Sequence, residues 1–396
     1  MNELAILGGK PTREKYLPYG HQWIDSDDIN AVTAALKRDF ITTGPTIEEF
    51  ESTVAHYTDT KYAVAVSNGT AALHAACFAA GIGPGDEVVV TPLTFAASAN
   101  CILYCGGHPV FADIDKKTYN IDPEEIEKLI TDKTKAIIPV HFTGQPAEID
   151  SINEIARKHD LTVISDGAHV LGAEYKGKMV GHQTDMTTLS FHPVKHITTG
   201  EGGMILTDDE NYYKRLKIFR NHGITKDKHE MHSYEGPWFY EQQYLGYNYR
   251  MTDIQAALGI SQMNKLDKFL DLRRKYVEMY NEAFCEMQEL TIPYQLPYVN
   301  SSWHIYVLQL NLEMLNSTRR EIYEALEKEN IGVNVHYIPV YYHPYYRQMG
   351  YEKGICPNAE YIYQRIITLP LFPRMSEGDV NDVIRAVKKV INYYKR

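Results

Sequence analysis

The stretch Tyr62-Ala63-Val64-Ala65-Val66-Ser67-Asn68-Gly69-Thr70-Ala71-Ala72-Leu73 decides the fold. Its apolar first half reads as a buried strand, and the small residues from Ser67 to Thr70 turn that strand into a helix. Such a turn leaves backbone N–H groups free at a helix N-terminus, which suits a phosphate dianion, although taken alone it reads equally well as a plain tight turn. The alternation then repeats. Strand Glu87 to Thr91, helix Ala96 to Tyr104, strand Pro109 to Asp113, helix Pro123 to Ile130, strand Ala136 to Val140 and helix Ile149 to His159 follow in order. This predicts an α/β fold with a mostly parallel central sheet flanked by helices. In such sheets ligands collect at the carboxyl ends of the strands, so each loop after a strand is a candidate site.

Outward from this core, a helix is predicted from Ser26 as cap, with Ile29, Val32 and Leu36 on one buried face. Thr42-Thr43-Gly44-Pro45 breaks it, and a second amphipathic helix runs through Phe50 and Val54. From Thr252 one long helix is predicted through Ile254, Leu258 and Leu266 into a part with weaker strand signals. A chain of 396 residues exceeds one ordinary core. We expect a large domain over 15–255 and a smaller α+β C-terminal domain over 256–396, with segment 1–14 packed on the latter or at the interface.

The formal charge of −11 disfavours a nucleic-acid backbone as partner. The apolar runs are strand-sized, far short of the ~20 residues that a membrane helix needs. With no basic, apolar leader at Met1 to Lys10, the expected compartment is the cytoplasm. Five cysteines form no CxxC pair, which argues for reduced thiols and against a metal site.

The chemistry-bearing stretch is Ser190-Phe191-His192-Pro193-Val194-Lys195-His196-Ile197-Thr198-Thr199-Gly200-Glu201-Gly202-Gly203, which reads as a loop between two buried strands. A lysine held among small and hydroxylated residues is placed to condense with a carbonyl, and the commonest such carbonyl in metabolism is the aldehyde of pyridoxal phosphate (PLP). Three further features accompany Lys195. The turn at Gly69 and Thr70 suits a phosphate, and Phe95, in the loop after a strand, suits stacking on a planar ring. Asp166, at the end of the strand Leu161 to Ser165, needs a cationic partner to offset its desolvation, and a protonated pyridine nitrogen would serve.

The segments Ser67 to Leu73, Asp166-Gly167-Ala168-His169, Ser190 to Lys195 with Gly200-Glu201-Gly202-Gly203, and Gly246-Tyr247-Asn248-Tyr249-Arg250-Met251 with Gln255-Ala256-Ala257 resemble the DegT-type sugar-nucleotide aminotransferases of PLP fold type I. The resemblance implies a transaminase in which Lys195 binds PLP covalently, Asp166 pairs with the pyridine nitrogen and Phe95 stacks on the ring. It further implies that Gly69, Thr70, Ala71 and Ser190 hold the phosphate, with pyridoxamine phosphate (PMP) as the half-reaction form. Asn248 matches a residue that reaches the cofactor of the neighbouring subunit, so a homodimer with shared active sites is implied. The family commonly carries Gln where this chain has His169, the candidate contact to the ring hydroxyl.

Arg220 and His222, in a polar stretch, are candidates for a diphosphate, and Thr43 and His192 for further substrate contacts. His304 and Tyr306, with His336 and Tyr337, lie in stretches aromatic enough to receive a sugar or uracil, or to serve packing between domains or subunits. More narrowly, the lysine loop and the His-Tyr-x-Pro-Val stretch resemble the branch that makes UDP-4-amino-4,6-dideoxy-N-acetyl-β-L-altrosamine for pseudaminic acid. That branch implies transfer from L-glutamate to the 4-keto carbon of a UDP-linked 4-keto-6-deoxy-N-acetylhexosamine. The alternatives are an aminotransferase for another nucleotide keto sugar, or a PMP-dependent sugar dehydratase. In the dehydratase branch a histidine replaces the lysine, so Lys195 favours amino transfer.

Overall fold

A seven-stranded sheet forms the centre of the computed structural model, which describes residues 3–396. Its strands are β1 (Tyr62–Val66), β2 (Glu87–Val90), β3 (His108–Phe111), β4 (Thr134–Ile138), β5 (Thr162–Asp166), β6 (Met186–Ser190) and β7 (Gly203–Thr207). In space they lie in the order β3-β2-β4-β5-β6-β7-β1. From β3 to β6 all neighbours are parallel, whereas β7 is antiparallel to both β6 and β1. The sheet is mostly parallel, as the β/α alternation predicts.

Because Cβ atoms alternate across a strand, Val88 and Val90 join one apolar cluster and Val89 another. The sheet is therefore buried on both faces. At its edge Ser190 pairs with Gly203, which closes residues 191–202 into a loop tied at both ends. A Cβ on Gly203 would come within 2.3 Å of the Asn68 carbonyl, so only glycine lets the lysine loop return this close to the β1 turn.

The C-terminal part carries its own antiparallel sheet, Leu290–Thr291, Tyr306–Leu310 and Ile366–Leu369. Helices Leu266–Phe284, Arg319–Lys328 and Glu377–Tyr394 bury Tyr280, Leu326 and Val387 against it, and Leu4 and Leu17 enter the same cluster. Tyr341, Tyr346, Cys356 and Ile362 instead complete a cluster under the central sheet.

Two local expectations are corrected. Asp25, rather than Ser26, caps the first helix, Ser26–Leu36, in a capping box with Asp28. Ile29 and Leu36 are exposed and the buried positions are Asp28 and Ala35. The reason is polar: Asp28 accepts from Ser261 Oγ (2.7 Å), Gln262 Nε2 (2.8 Å) and Lys265 Nζ (2.6 Å), and this contact sets the buried face. The long helix from Thr252 is two helices, Asp253–Met263 and Leu266–Phe284, broken where Lys265 turns toward Asp25 and Asp28. Ile254 and Leu258 are only half-buried there, and Ala256, Gly259 and Met263 form the packed face.

Glu329 fastens the N-terminal segment. It is buried and accepts from Ala5 N (2.9 Å), Thr12 N (2.8 Å), Thr12 Oγ1 (2.7 Å) and Lys389 Nζ (2.8 Å). Burial raises its pKa, but these donors outweigh burial and leave it lowered. Replacing Glu329 with Ala should cost on the order of 3 kcal/mol in urea unfolding, because it strands Lys389 and frees the segment. Since the folded-state pKa is the depressed one, the wild-type advantage holds above the ordinary carboxylate pKa and shrinks as pH falls through the folded value. An equal difference at pH 3 and pH 7 would contradict this.

Candidate active site

The carboxyl ends of the strands converge on a cavity of about 980 Å³. After β1, Asn68 caps helix Gly69–Ala79, its Oδ1 accepting from Ala71 N at 2.8 Å. Ala71's N–H is thus engaged within the chain, while those of Gly69 and Thr70 have no partner among the described residues. A Cβ on Gly69 would meet Ser190 Cβ at 2.9 Å, so this turn and the start of the lysine loop are in contact. Two free N–H groups at a helix N-terminus beside the Ser190 hydroxyl make an anion cradle.

Asp166 is buried at the end of β5, where Ser98 Oγ donates to its Oδ2 at 2.6 Å and Ala168 N to its Oδ1 at 3.1 Å. Thr94 Oγ1 lies 2.8 Å from Ser98 Oγ. Ser98 has one proton and gives it to the carboxylate, so Thr94 is the donor in that pair. No ion pair to Asp166 occurs among the described residues, although its lone pairs are not exhausted. A charge held this way is set to receive a cationic N–H from a guest.

Lys195 lines the same cavity, and burial pushes its amine down to about 8, with Asp166 opposing the shift. A sizeable neutral, nucleophilic fraction is therefore present near neutral pH. Around it stand His169, His304 and His336. The His169 and His304 ring centroids are 4.3 Å apart, and both Nδ1 atoms are buried without a partner. His336 Nδ1 meets Thr368 Oγ1 at 2.8 Å, and burial followed by Lys195 lowers its pKa to about 4. Tyr337 OH lies 3.2 Å from His169 Nε2. Phe95 stands at the cavity with 63% of its surface exposed, 6.4 Å from the Tyr337 ring.

The cavity thus brings together Gly69, Thr70, Ala71, Phe95, Asp166, His169, Ser190, His192, Lys195, His304, His336 and Tyr337. It does not include Thr43, Arg220, His222, Asn248 or Tyr306. Arg220 is held away from any diphosphate, because its guanidinium pairs with Glu51 and donates to Ala65 O at 2.6 Å, bracing β1. Tyr306 is fully buried in the C-terminal core, its OH donating to Asn281 Oδ1 at 2.9 Å. Thr43, His222 and Asn248 are exposed on this chain's surface. Sequence reasoning missed Asn68, Thr94, Ser98 and Tyr249. The spacing of Thr94 and Ser98, four residues apart at a helix start, was the signal available for two of them.

The profile of the DegT/DnrJ/EryC1/StrS aminotransferase family matches residues 22–388. The Bacillus subtilis spore coat polysaccharide biosynthesis protein SpsC is 43% identical over 381 residues, 96% of this chain and 98% of that protein. Helicobacter pylori PseC, an aminotransferase involved in the biosynthesis of pseudoaminic acid, has a TM-score of 0.90 at 31% identity, covering 96% of this chain and 100% of PseC. Spr1654 of Streptococcus pneumoniae, in its PLP form, gives 0.88 at 32% identity over 96% of this chain and 99% of that one, and it also has a PMP form. The chain belongs to the DegT/DnrJ/EryC1/StrS aminotransferase family and is a PLP-dependent sugar aminotransferase.

Proposed function

We propose that this enzyme moves an amino group from L-glutamate to the 4-keto carbon of a UDP-linked 4-keto-6-deoxy-N-acetylhexosamine, within pseudaminic acid or related amino-sugar synthesis. The observation that carries the chemistry is the meeting, in one cavity, of a depressed lysine, a buried carboxylate and a free helix N-terminus. The likeness to PseC supports the sugar. A second reading, another nucleotide keto sugar destined for a surface polysaccharide, is favoured by the higher identity to SpsC.

The residues fit PLP on their own terms. The Gly69 and Thr70 N–H groups and the Ser190 hydroxyl match a phosphate, and the buried Asp166 lacks a cation that a ring N–H would supply. When bound, PLP carries the amino group between the two substrates and withdraws electrons from the reacting carbon. Asp166 would hold the proton on the ring nitrogen. Lys195, whose amine burial pushes down to about 8, would be the group that moves a proton at the reacting carbon. Phe95 would lie against the ring face, and Tyr337 would supply an aromatic wall beside it. We further propose residues 15–255 as the large domain and 256–396 as the small one.

Asn248 is exposed, outside its own chain's cavity, where it bridges to Asn221. Phe40, Ile41, Trp238 and Leu245 are also exposed, and a partner surface would cover such side chains. These features support a homodimer in which Asn248 serves the partner's cofactor.

Incubation with PLP, L-glutamate and a panel of nucleotide keto sugars, read by mass, should give the 4-amino product from the UDP-linked substrate; turnover of a different sugar alone would replace this assignment. Borohydride reduction and peptide mapping should place the pyridoxyl group on Lys195, and Asp166→Asn should retain cofactor while losing on the order of 10²–10³-fold in kcat. Full activity of that variant would remove Asp166 from the chemistry. Mixing Lys195→Ala with Asn248→Asp chains should restore up to about half of wild-type activity per heterodimer, since one site then carries neither lesion. Proven subunit exchange without recovery would refute the shared site.

A further inference from the structure

Lys195 is aimed by a loop that the fold holds at few points. Residues 191–202 close mainly on themselves. Lys195 N donates to His192 O at 2.9 Å, Thr199 N and Thr198 Oγ1 both donate to Phe191 O at 3.0 Å, and Phe191 N donates to Gly202 O at 2.9 Å. Among the described residues, two hydrogen bonds join this loop to distant parts of the chain. In one, Gln255 Nε2 donates to Glu201 O at 2.7 Å, well past the lysine. The other comes from the very next residue, where His196 Nε2 lies 3.1 Å from Ser302 O, 106 residues further along. Ser302 O is a carbonyl and can only accept, so Nε2 carries the hydrogen. Burial pushes His196 well below the usual imidazole range, with Arg273, Lys195 and Arg274 acting the same way and the Ser302 bond opposing. The ring is therefore a neutral donor with a fixed direction.

Ser302 itself has little freedom. Its N donates to Gly144 O at 3.1 Å and its Oγ to His169 O at 2.8 Å, so it is bonded to the loops after β4 and β5. On its far side the buried Arg273 donates through Nη1 to Trp303 O at 3.2 Å and His304 O at 2.9 Å, and His304 N donates to Thr143 O at 2.8 Å. These bonds hold Trp303 at φ 49°, a left-handed conformation that a bulky side chain avoids. A turn fixed from so many sides is a rigid post.

We propose that His196 is a positioning residue, which ties the backbone carrying Lys195 to the Ser302 carbonyl and so sets where the amine points. This rests on Lys195 being the lysine that carries PLP. Loss of the tie leaves the amine in place but frees its backbone, and displacing a reacting group by about 1 Å is enough to cost on the order of 10²-fold in rate.

The test compares two amides at position 196 in the full-length enzyme. His196→Gln places its amide nitrogen where Nε2 stands and can still donate to Ser302 O, whereas His196→Asn is one bond shorter and cannot reach it. With PLP loaded, His196→Gln should keep most of the wild-type kcat. His196→Asn should lose on the order of 10²-fold in kcat with KM for both substrates unchanged, a split that a general loss of fold would not give. In the apo enzyme, hydrogen–deuterium exchange of the peptide spanning 191–202 should quicken in His196→Asn and not in His196→Gln. Spectra of 15N-labelled histidine should show the wild-type His196 Nε2 protonated, the signal being assigned by its absence in His196→Gln. A bare Nε2 in the wild type, a large loss of kcat in His196→Gln, or equal exchange in the two variants overturns the proposal, and the first two decide it even if His196→Asn does not fold. Should the pyridoxyl group map to another lysine while exchange still separates the variants, the tie stands and the assignment of Lys195 falls.

Discussion

A carboxylate shut away from water at the end of β5 constrains everything around it. Burying such a group without hydrogen-bond donors is costly. Asp166 is instead fed by one hydroxyl and one backbone N–H, with Thr94 behind the hydroxyl fixing its direction. That supply steadies the anion but leaves it short of a counter-charge, which makes the cavity selective for a guest bearing an N–H cation. Lys195 meets the same low-polarity surroundings with the opposite result, since burial there favours the neutral amine. One dry cavity thus sets a hydrogen-bonded carboxyl group beside an amine whose proton burial has loosened.

Sheet direction turns these requirements into a place. β1, β2, β5 and β6 run parallel, so the residues following or ending them arrive on one edge: Asn68, Thr94, Asp166 and Ser190. Only β7 runs against them, and it brings the lysine loop home beside the β1 turn. The contact between Gly69 and Ser190 is the closest expression of that arrangement. Anion cradle and amine are neighbours because their strands are separated by a single strand.

The central alternation and the Asp166 and Lys195 loops were legible because their signals are local: apolar runs end in small or charged residues within a few positions. Arg220 was not legible as a structural group. Its sequence neighbours are polar, and only the fold reveals Glu51 and the Ala65 carbonyl within reach. Tyr306 was misplaced for the complementary reason, since an aromatic run does not say which of its members face inward along a strand. The first helix shows the same limit, for its buried face is chosen by the distant Lys265 rather than by its own Ile29 and Leu36.

The packing of Tyr341, Tyr346 and Ile362 beneath the central sheet carries a consequence for the chain as it is made. Val340 N donates to Pro92 O at 2.9 Å, tying a late segment to the loop after β2. The central sheet is complete once residue 207 has emerged from the ribosome, yet one of its faces lacks part of its cover until residues near 362 follow. Leu4, likewise, waits for Val387. Such distant pairings slow folding and prolong the exposure of apolar surface. The nascent chain therefore carries an open apolar face through much of its synthesis. The sheet that bears the catalytic loops is fully covered only when the last third of the chain folds back on it.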